Sequence, residues 1–198
     1  MQQETTATPL MQQYFVLKKD YADHLLFFQV GDFYELFFED AQFASHFLGI
    51  TLTKRGKNAG KDIPLCGVPV HTIDHYIKRL VKGGRTVALC QQLEEAKQGS
   101  VVKRGVTRVF TPGTLIETTL LDEKSPSYLC TFFSIKESIG FLCGELLTGQ
   151  LFITHFAVND ERSLENELAR FFPDEVVVPH DTDKQFFGLF KKWVEKRS

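Results

Sequence analysis

The stretch LLFFQVGDFYELFFEDA, residues 25–41, joins an apolar run to a second, alternating run through a glycine. Its first six residues form an apolar run typical of a buried strand, and Gly31 permits a kink where that strand ends. On a strand that follows, Phe33 and Glu35 would point to one face and Tyr34 to the other. We therefore predict that Tyr34 and Gly31 are structural, and that Phe33 and Glu35 project together.

Helix and strand signals alternate on both sides of this stretch. Thr8 followed by Pro9 is a favourable helix start, and it predicts a helix over residues 8–22. Further helices are predicted over 39–48 and 71–81, where apolar residues recur at helical spacing before a glycine. Strands are predicted over 24–30, 50–53, 86–93 and 105–110, with a glycine-rich basic loop after residue 53.

The second half of the chain has a different pattern. Residues 115–127 mix charge, serine and proline, which is typical of a linker. Three strand-like runs over 128–135, 139–147 and 150–157 predict an antiparallel meander. A helix over 160–172, a short buried strand over 175–178 and an amphipathic helix over 182–196 complete the expected elements.

Composition indicates an ordinary globular protein. Hydrophobic residues make up 43% of the 198 positions and charged residues 24%. No apolar run is long enough for a membrane span, and the first residues lack the pattern of a secretion signal. The four cysteines show no paired C-x-x-C spacing, so we expect reduced core thiols in a cytoplasmic protein rather than a zinc site.

Charge is segregated along the chain despite a net charge of −2. Residues 50–108 hold 12 basic and 4 acidic residues, whereas the segments on either side are acidic. Part of this surplus lies in the run KRGKNAGK, residues 54–61. A solvated basic surface or a contact with a polyanion would explain the pattern.

Phe33 and Glu35 together suit the recognition of a nucleobase. An aromatic ring can stack on any base, and a carboxyl oxygen can hydrogen-bond to a base edge. Phenylalanine also serves as a wedge that unstacks one base step in the minor groove. The alternative is structural: a core phenylalanine followed by an exposed glutamate at a strand end.

Other chemistries have weaker support in the sequence. A metal-dependent nuclease would need clustered carboxylates and a lysine, for which Asp32, Glu35 and the pair Glu95 and Lys97 are the candidates. Asp32 and Glu35 would, however, face apart on one strand. The glycine-rich run lacks the spacing of a phosphate-binding loop. The histidines show no set of three metal ligands, and no motif indicates covalent catalysis.

Five motifs occur in an order and spacing that resemble a known family. They are TPLMQQY (8–14), GDFYELF (31–37), LTKRG (52–56), IPLCGVPVH (63–71) and RVFTPGT (108–114). Together they resemble the N-terminal part of the bacterial MutS family of DNA mismatch-recognition proteins. The resemblance covers residues 8–115 and continues more weakly to about residue 180.

The resemblance implies a fold and a domain order. Residues 1–113 would form a mismatch-recognition domain, a mixed α/β sheet flanked by helices. Residues 114–127 would be a linker, and residues 128–198 an incomplete connector domain with a ribonuclease-H-like fold.

The resemblance also implies functions for particular residues. Phe33 would wedge into the minor groove and stack on a mispaired base, and Glu35 would hydrogen-bond that base. Contacts with the DNA backbone or groove would come from Asp32, Lys54, Arg55, Lys57 and Lys61. The chain itself would be neither an enzyme nor the holder of a cofactor or metal, since ATP and magnesium are bound elsewhere in the family. Mismatched double-stranded DNA would be the partner, with homodimers in the full-length family and a MutL-type protein at the connector. A fragment that acts only as a protein-interaction module is the alternative.

Overall fold

The structure is a computed structural model, and it describes residues 7–58, 60–95, 101–115 and 126–179. The chain divides into two compact units, residues 1–123 and 124–198. This division falls within the predicted linker, and the predicted domain limits remain predictions.

The first unit is built on a six-stranded mixed sheet. Its described helices are α1 (Pro9–Asp20), α2 (Phe38–Leu48) and α3 (Ile73–Lys82), and its described strands are β1 (Leu25–Val30), β2 (Phe33–Phe37), β3 (Thr53–Asn58), β4 (Lys61–Pro69), β5 (Val87–Gln92) and β6 (Arg104–Phe110). The strand order is β3-β4-β2-β1-β5-β6, in which β1 and β5 are parallel and the other neighbours antiparallel. The predicted mixed sheet with flanking helices is confirmed.

Local sequence explains where the first helices begin and end. The Thr8 side chain accepts a hydrogen bond from the Met11 amide at 3.4 Å, and Pro9 occupies the first helical position of α1. Helix α2 ends at Gly49, whose φ of 72° lies in the left-handed region that favours glycine. These two helices lie within two residues of their predicted bounds.

The sheet separates two apolar cores. On one face, Phe27, Tyr34 and Leu36 pack with residues of α2 and α3. On the other face, Phe28 and Phe37 pack with Tyr14 of α1 and its neighbours. Since β2 contributes alternate side chains to the two cores, its register is fixed from both sides.

A partly buried ion pair joins three elements of this unit. The Asp40 carboxylate accepts a hydrogen bond from the Leu26 amide at 3.0 Å and lies 2.9 Å from Lys18 Nζ. Lys18 also donates to the backbone carbonyls of Ala22 and His24. The pair thereby connects α1, the beginning of β1 and α2.

The structure corrects the prediction for residues 50–69. Residues 50–52 lie outside any strand, and the run predicted as an exposed basic loop forms the antiparallel hairpin of β3 and β4. The register shifts between Lys54 and Lys57, around Gly56, whose φ is 67°. Gly60, with a φ of 79°, lies in the turn. The glycines therefore permit a bulge and a turn, rather than marking an irregular loop.

The second unit contains the predicted meander. Its described elements are β7 (Tyr128–Ile135), β8 (Ser138–Glu145), β9 (Gln150–Ala157), α4 (Glu161–Phe171) and β10 (Glu175–Val177). The sheet order is β10-β7-β8-β9, with β10 parallel to β7 and the meander pairs antiparallel. At the end of β8, the Glu145 carboxylate accepts hydrogen bonds from the Leu147 and Thr148 amides and closes the turn. The predicted helix over 182–196 lies outside the described residues.

The cysteines match their predicted state. Cys66, Cys90, Cys130 and Cys143 are all free and buried. Burial raises the pKa of the Cys66 thiol to about 11, so that thiol is protonated at neutral pH. Among the described residues, no helix has the length and apolar character needed to cross a membrane.

Candidate nucleic-acid interface

The predicted alternation along β2 is confirmed. Phe33 is 48% exposed, Tyr34 is buried, and the Glu35 side chain is only 12% exposed. Val30 pairs with Phe33 across a two-residue turn formed by Gly31 and Asp32. Gly31 has a φ of 59°, as the first position of a tight hairpin turn requires. The turn therefore presents Phe33 to solvent directly beside a buried strand.

Tyr34 fixes β2 to the rest of the sheet. Its hydroxyl accepts a hydrogen bond of 3.1 Å from Gln91 Nε2 on β5, and Gln91 Oε1 accepts one of 2.6 Å from the Thr107 hydroxyl on β6. Burial is the main cause that raises the Tyr34 pKa. The chain of hydrogen bonds crosses four strands, so the strand that carries Phe33 and Glu35 is held at a defined position.

The Glu35 carboxylate has one paired and one unpaired oxygen. Arg55, whose side chain is 58% exposed, donates from Nη1 to Glu35 Oε1 at 2.9 Å. The other oxygen, Oε2, is buried and has no hydrogen-bond partner. Burial raises the pKa of Glu35, and the charges of Arg55 and Arg104 partly oppose this effect. Oε2 is therefore a buried acceptor to which none of the described residues donates a hydrogen bond.

The two residues directly opposite Glu35 on the neighbouring strands have no polar side chain. Phe28 lies opposite Glu35 on β1 and Gly67 lies opposite on β4. A Cβ added at Gly67 would lie 3.7 Å from Glu35 Cγ, which is an ordinary van der Waals contact.

Arg104 is a second guanidinium near this carboxylate, and it was not among the site residues predicted from the sequence. Its Nε donates to the Gln29 carbonyl at 2.6 Å and its Nη1 to the Val102 carbonyl at 2.8 Å. The guanidinium also lies 5.3 Å from the centre of the Phe28 ring. The only signal in the sequence was the general basic surplus of residues 50–108, which does not single out one arginine.

The structure brings together only some of the predicted backbone contacts. Arg55 contacts Glu35, whereas Lys54 forms an exposed ion pair of 2.6 Å with Asp62. Lys57 and Lys61 are exposed on the hairpin. Asp32 is exposed in the β1–β2 turn, where its backbone carbonyl accepts a hydrogen bond from the Val70 amide. The roles of these residues in DNA binding remain predictions.

The described residues contain no group of three or more potential metal ligands. Lys97, the lysine of the nuclease alternative, lies outside the described residues. Asp32 is in a turn, and Glu35 pairs with an arginine, so nothing in the described part of the chain assembles the carboxylate cluster that a nuclease needs.

Comparison with known proteins identifies the family of this chain. A family model for MutS domain I matches residues 8–119. DNA mismatch repair protein MutS from Alkaliphilus metalliredigens is 48% identical over 180 residues, which cover 90% of this chain and 20% of that protein. MutS from Staphylococcus aureus is 46% identical over 175 residues, which cover 88% of this chain and 20% of that protein.

The chain spans about a fifth of the length of these curated relatives. The matched family model describes MutS domain I. The family match and the two identities together establish that this chain belongs to the MutS family.

Proposed function

We propose that this chain binds mismatched or looped-out double-stranded DNA and thereby contributes to the initiation of mismatch repair. Phe33 would wedge into the minor groove and stack on the mispaired base, and Glu35 would hydrogen-bond that base. The observation that carries this proposal is the pairing of a half-exposed aromatic ring with a nearly buried carboxylate on one strand. One oxygen of that carboxylate has no partner.

The physical basis of selectivity is the cost of unstacking. Inserting a side chain between base steps costs a few kcal/mol, and this cost is lower where a mispair already disturbs the stack. Phe33 would therefore detect deformability more than base identity. Exposed lysines on the β3–β4 hairpin would add an affinity that does not depend on sequence and weakens with salt.

Binding to two duplexes that differ at one base pair tests this function. The chain, and a full-length MutS chimaera in which it replaces the matching segment, would be titrated with a G·T duplex and with its matched counterpart. We expect tighter binding of the chimaera to the G·T duplex. Equal affinity for the two duplexes would reject the proposal.

Glu35→Ala is expected to reduce discrimination without a uniform loss of affinity. The change removes the proposed bond to the mispaired base, which lowers heteroduplex affinity. It also removes a negative charge near the phosphates, which maintains or raises homoduplex affinity. Filter binding of the chimaera to both duplexes measures the two effects, and an equal loss on both would contradict the assigned role.

A second candidate function is protein interaction through the second unit. Phe133 on β7 and Leu151 and Ile153 on β9 are exposed apolar residues, and Ile153 is 75% exposed. Such residues are typical of an interaction surface. A MutL-type protein would be the partner, and homodimer formation, ATP and magnesium binding and a cytoplasmic location would belong to the full-length protein.

Ile153→Asp separates the two candidates. We expect the substitution to weaken capture of a MutL-type protein by the chain at least tenfold while the chimaera keeps its preference for G·T duplex. Pull-down and filter binding on the same preparations measure both properties. Unchanged capture would argue against this surface.

A further inference from the structure

We propose that Arg55 is a displaceable counterion of Glu35. In the DNA-free protein, the Arg55 guanidinium pairs with the Glu35 carboxylate. When a duplex binds, the guanidinium leaves the carboxylate and pairs with a DNA phosphate. This inference rests on the proposed function and extends it from Glu35 to the residue that controls Glu35. Arg55 would be a positioning residue, since it acts on the base through another side chain.

The geometry joins a solvent-facing cation to a nearly buried anion. Arg55 lies on β3 and Glu35 on β2, with β4 between them, and the two side chains meet at 2.9 Å. Arg55 uses one hydrogen bond to Oε1, whereas Oε2 stays without a partner. An arginine that is 58% exposed can exchange a carboxylate for a phosphate, because its planar fork suits both anions.

Arg55 and Arg104 differ in how firmly their guanidinium groups are anchored, and the difference explains why Arg55 is the one that can leave Glu35. Arg104 is held by two backbone carbonyls and by the face of the Phe28 ring. Moving Arg104 away would break its contacts with Gln29 and Phe28, which connect β6 to β1. Arg55 has no comparable anchor to the sheet among the described residues, so its release costs the fold little.

Among the described residues, the charged groups that act on the pKa of Glu35 are these two arginines. The neighbouring strands place Phe28 and Gly67 opposite Glu35, and neither carries a charge. Burial raises the pKa of Glu35, while the charge and hydrogen bond of Arg55 lower it, as does the charge of Arg104. When Arg55 leaves, the main opposing interaction is lost, and the carboxyl takes up a proton from solvent more readily.

Proton uptake would change what Glu35 can recognise. An ionised carboxylate only accepts hydrogen bonds, whereas a protonated carboxyl can donate one to an acceptor on a base edge. The contact of Arg55 with the DNA backbone would thereby prepare Glu35 for the base. One event, the transfer of a guanidinium from carboxylate to phosphate, links backbone binding to base reading.

The first test uses the DNA-free 198-residue chain. The Glu35 carboxyl carbon would be titrated by ¹³C NMR, with its signal assigned by comparison with Glu35→Gln. We expect Arg55→Gln to move the titration midpoint to higher pH, and Arg55→Lys to move it less because a cation remains. Lys54→Gln is the matched control, since Lys54 pairs with Asp62 on the same hairpin. Equal midpoints in the wild-type chain and Arg55→Gln would overturn the inference.

The second test follows DNA binding by the chimaera. The logarithm of affinity against the logarithm of salt concentration should fall less steeply in Arg55→Gln, by about 0.9, as expected for one lost phosphate contact. The protonated form of Glu35 donates to the base, and it predominates below the pKa of Glu35 in the complex. Preference for the G·T duplex should therefore decline as pH rises through that pKa. Arg55→Gln should leave the pH dependence of the preference unchanged, because Arg55 has already left Glu35 in the complex, and Glu35→Gln should remove the pH dependence. An unchanged salt slope would overturn the release of Arg55 to phosphate.

The outcomes separate this inference from the proposed function. If Phe33 and Glu35 variants lose discrimination while Arg55→Gln changes neither the titration nor the salt slope, the function stands and the inference fails. If the wild-type chimaera shows no preference between duplexes, the proposed function fails, whatever the NMR titration gives.

Discussion

Replacing Phe33 with alanine is expected to abolish the preference for a G·T duplex over its matched counterpart. Stacking of a base on an aromatic ring contributes about 1–3 kcal/mol per base, so losing the ring should weaken heteroduplex binding by roughly 5- to 150-fold. Homoduplex binding should change little, because exposed basic residues would supply it. Phe33 is half-exposed, so the same change should affect the free energy of unfolding far less than a buried phenylalanine would.

Phe133→Ala provides the matched control for this experiment. Phe133 is 49% exposed, nearly the same as Phe33, but it lies in the second unit. Both variants lose one half-exposed ring, and only the one at Phe33 should lose discrimination. Competition binding with the chimaera and both duplexes measures the ratio directly. A wild-type ratio in Phe33→Ala would rule out the wedge.

Asp40→Ala is expected to cause the largest loss of stability, about 3 kcal/mol in the free energy of unfolding of the first unit. The substitution leaves the buried Leu26 amide without an acceptor and Lys18 without its counterion. Urea unfolding followed by circular dichroism measures the effect. Because the chain has two units, the transition of the first unit should be fitted separately.

Asp62→Ala is the control for that measurement. Asp62 also forms an ion pair with a lysine, but both side chains are exposed, and such pairs contribute about 0–1 kcal/mol. The comparison holds the residue type and its lysine partner constant, while Asp40 differs from Asp62 in its burial and in its hydrogen bond from the Leu26 amide. Similar losses for the two variants would show that the bonds of Asp40 contribute no more than a surface ion pair.

Sequence alone predicted those parts of the fold whose signals are local. The alternation of β2 follows from strand periodicity, and the bounds of α1 and α2 follow from a cap, a proline and a glycine. The meander was predictable for the same reason. Each of these elements depends on residues close together in the chain.

The remaining features depend on pairings between distant residues. Residues 53–58 form β3 and residues 61–69 form β4, yet the run KRGKNAGK, residues 54–61, has the composition of a loop. Glycine and lysine disfavour strands unless a partner strand is present. The contact of Arg55 with Glu35 spans 20 positions and requires the order β3-β4-β2. Arg104 reaches this region from β6, 75 positions from the carbonyl of Gln29 that it contacts. Neither arginine contact has a local signal.

The hydrogen bonds from Tyr34 through Gln91 to Thr107 have a mechanical consequence. They connect the strand that carries Phe33 to the centre of a sheet that is packed on both faces, so the Phe33 ring is held by a rigid part of the protein. When a stiff body presses on a softer one, the softer one takes most of the strain. Under the proposed function, the duplex would therefore bend and the protein would not. The ease of bending each DNA site would then set the order of affinities among sites.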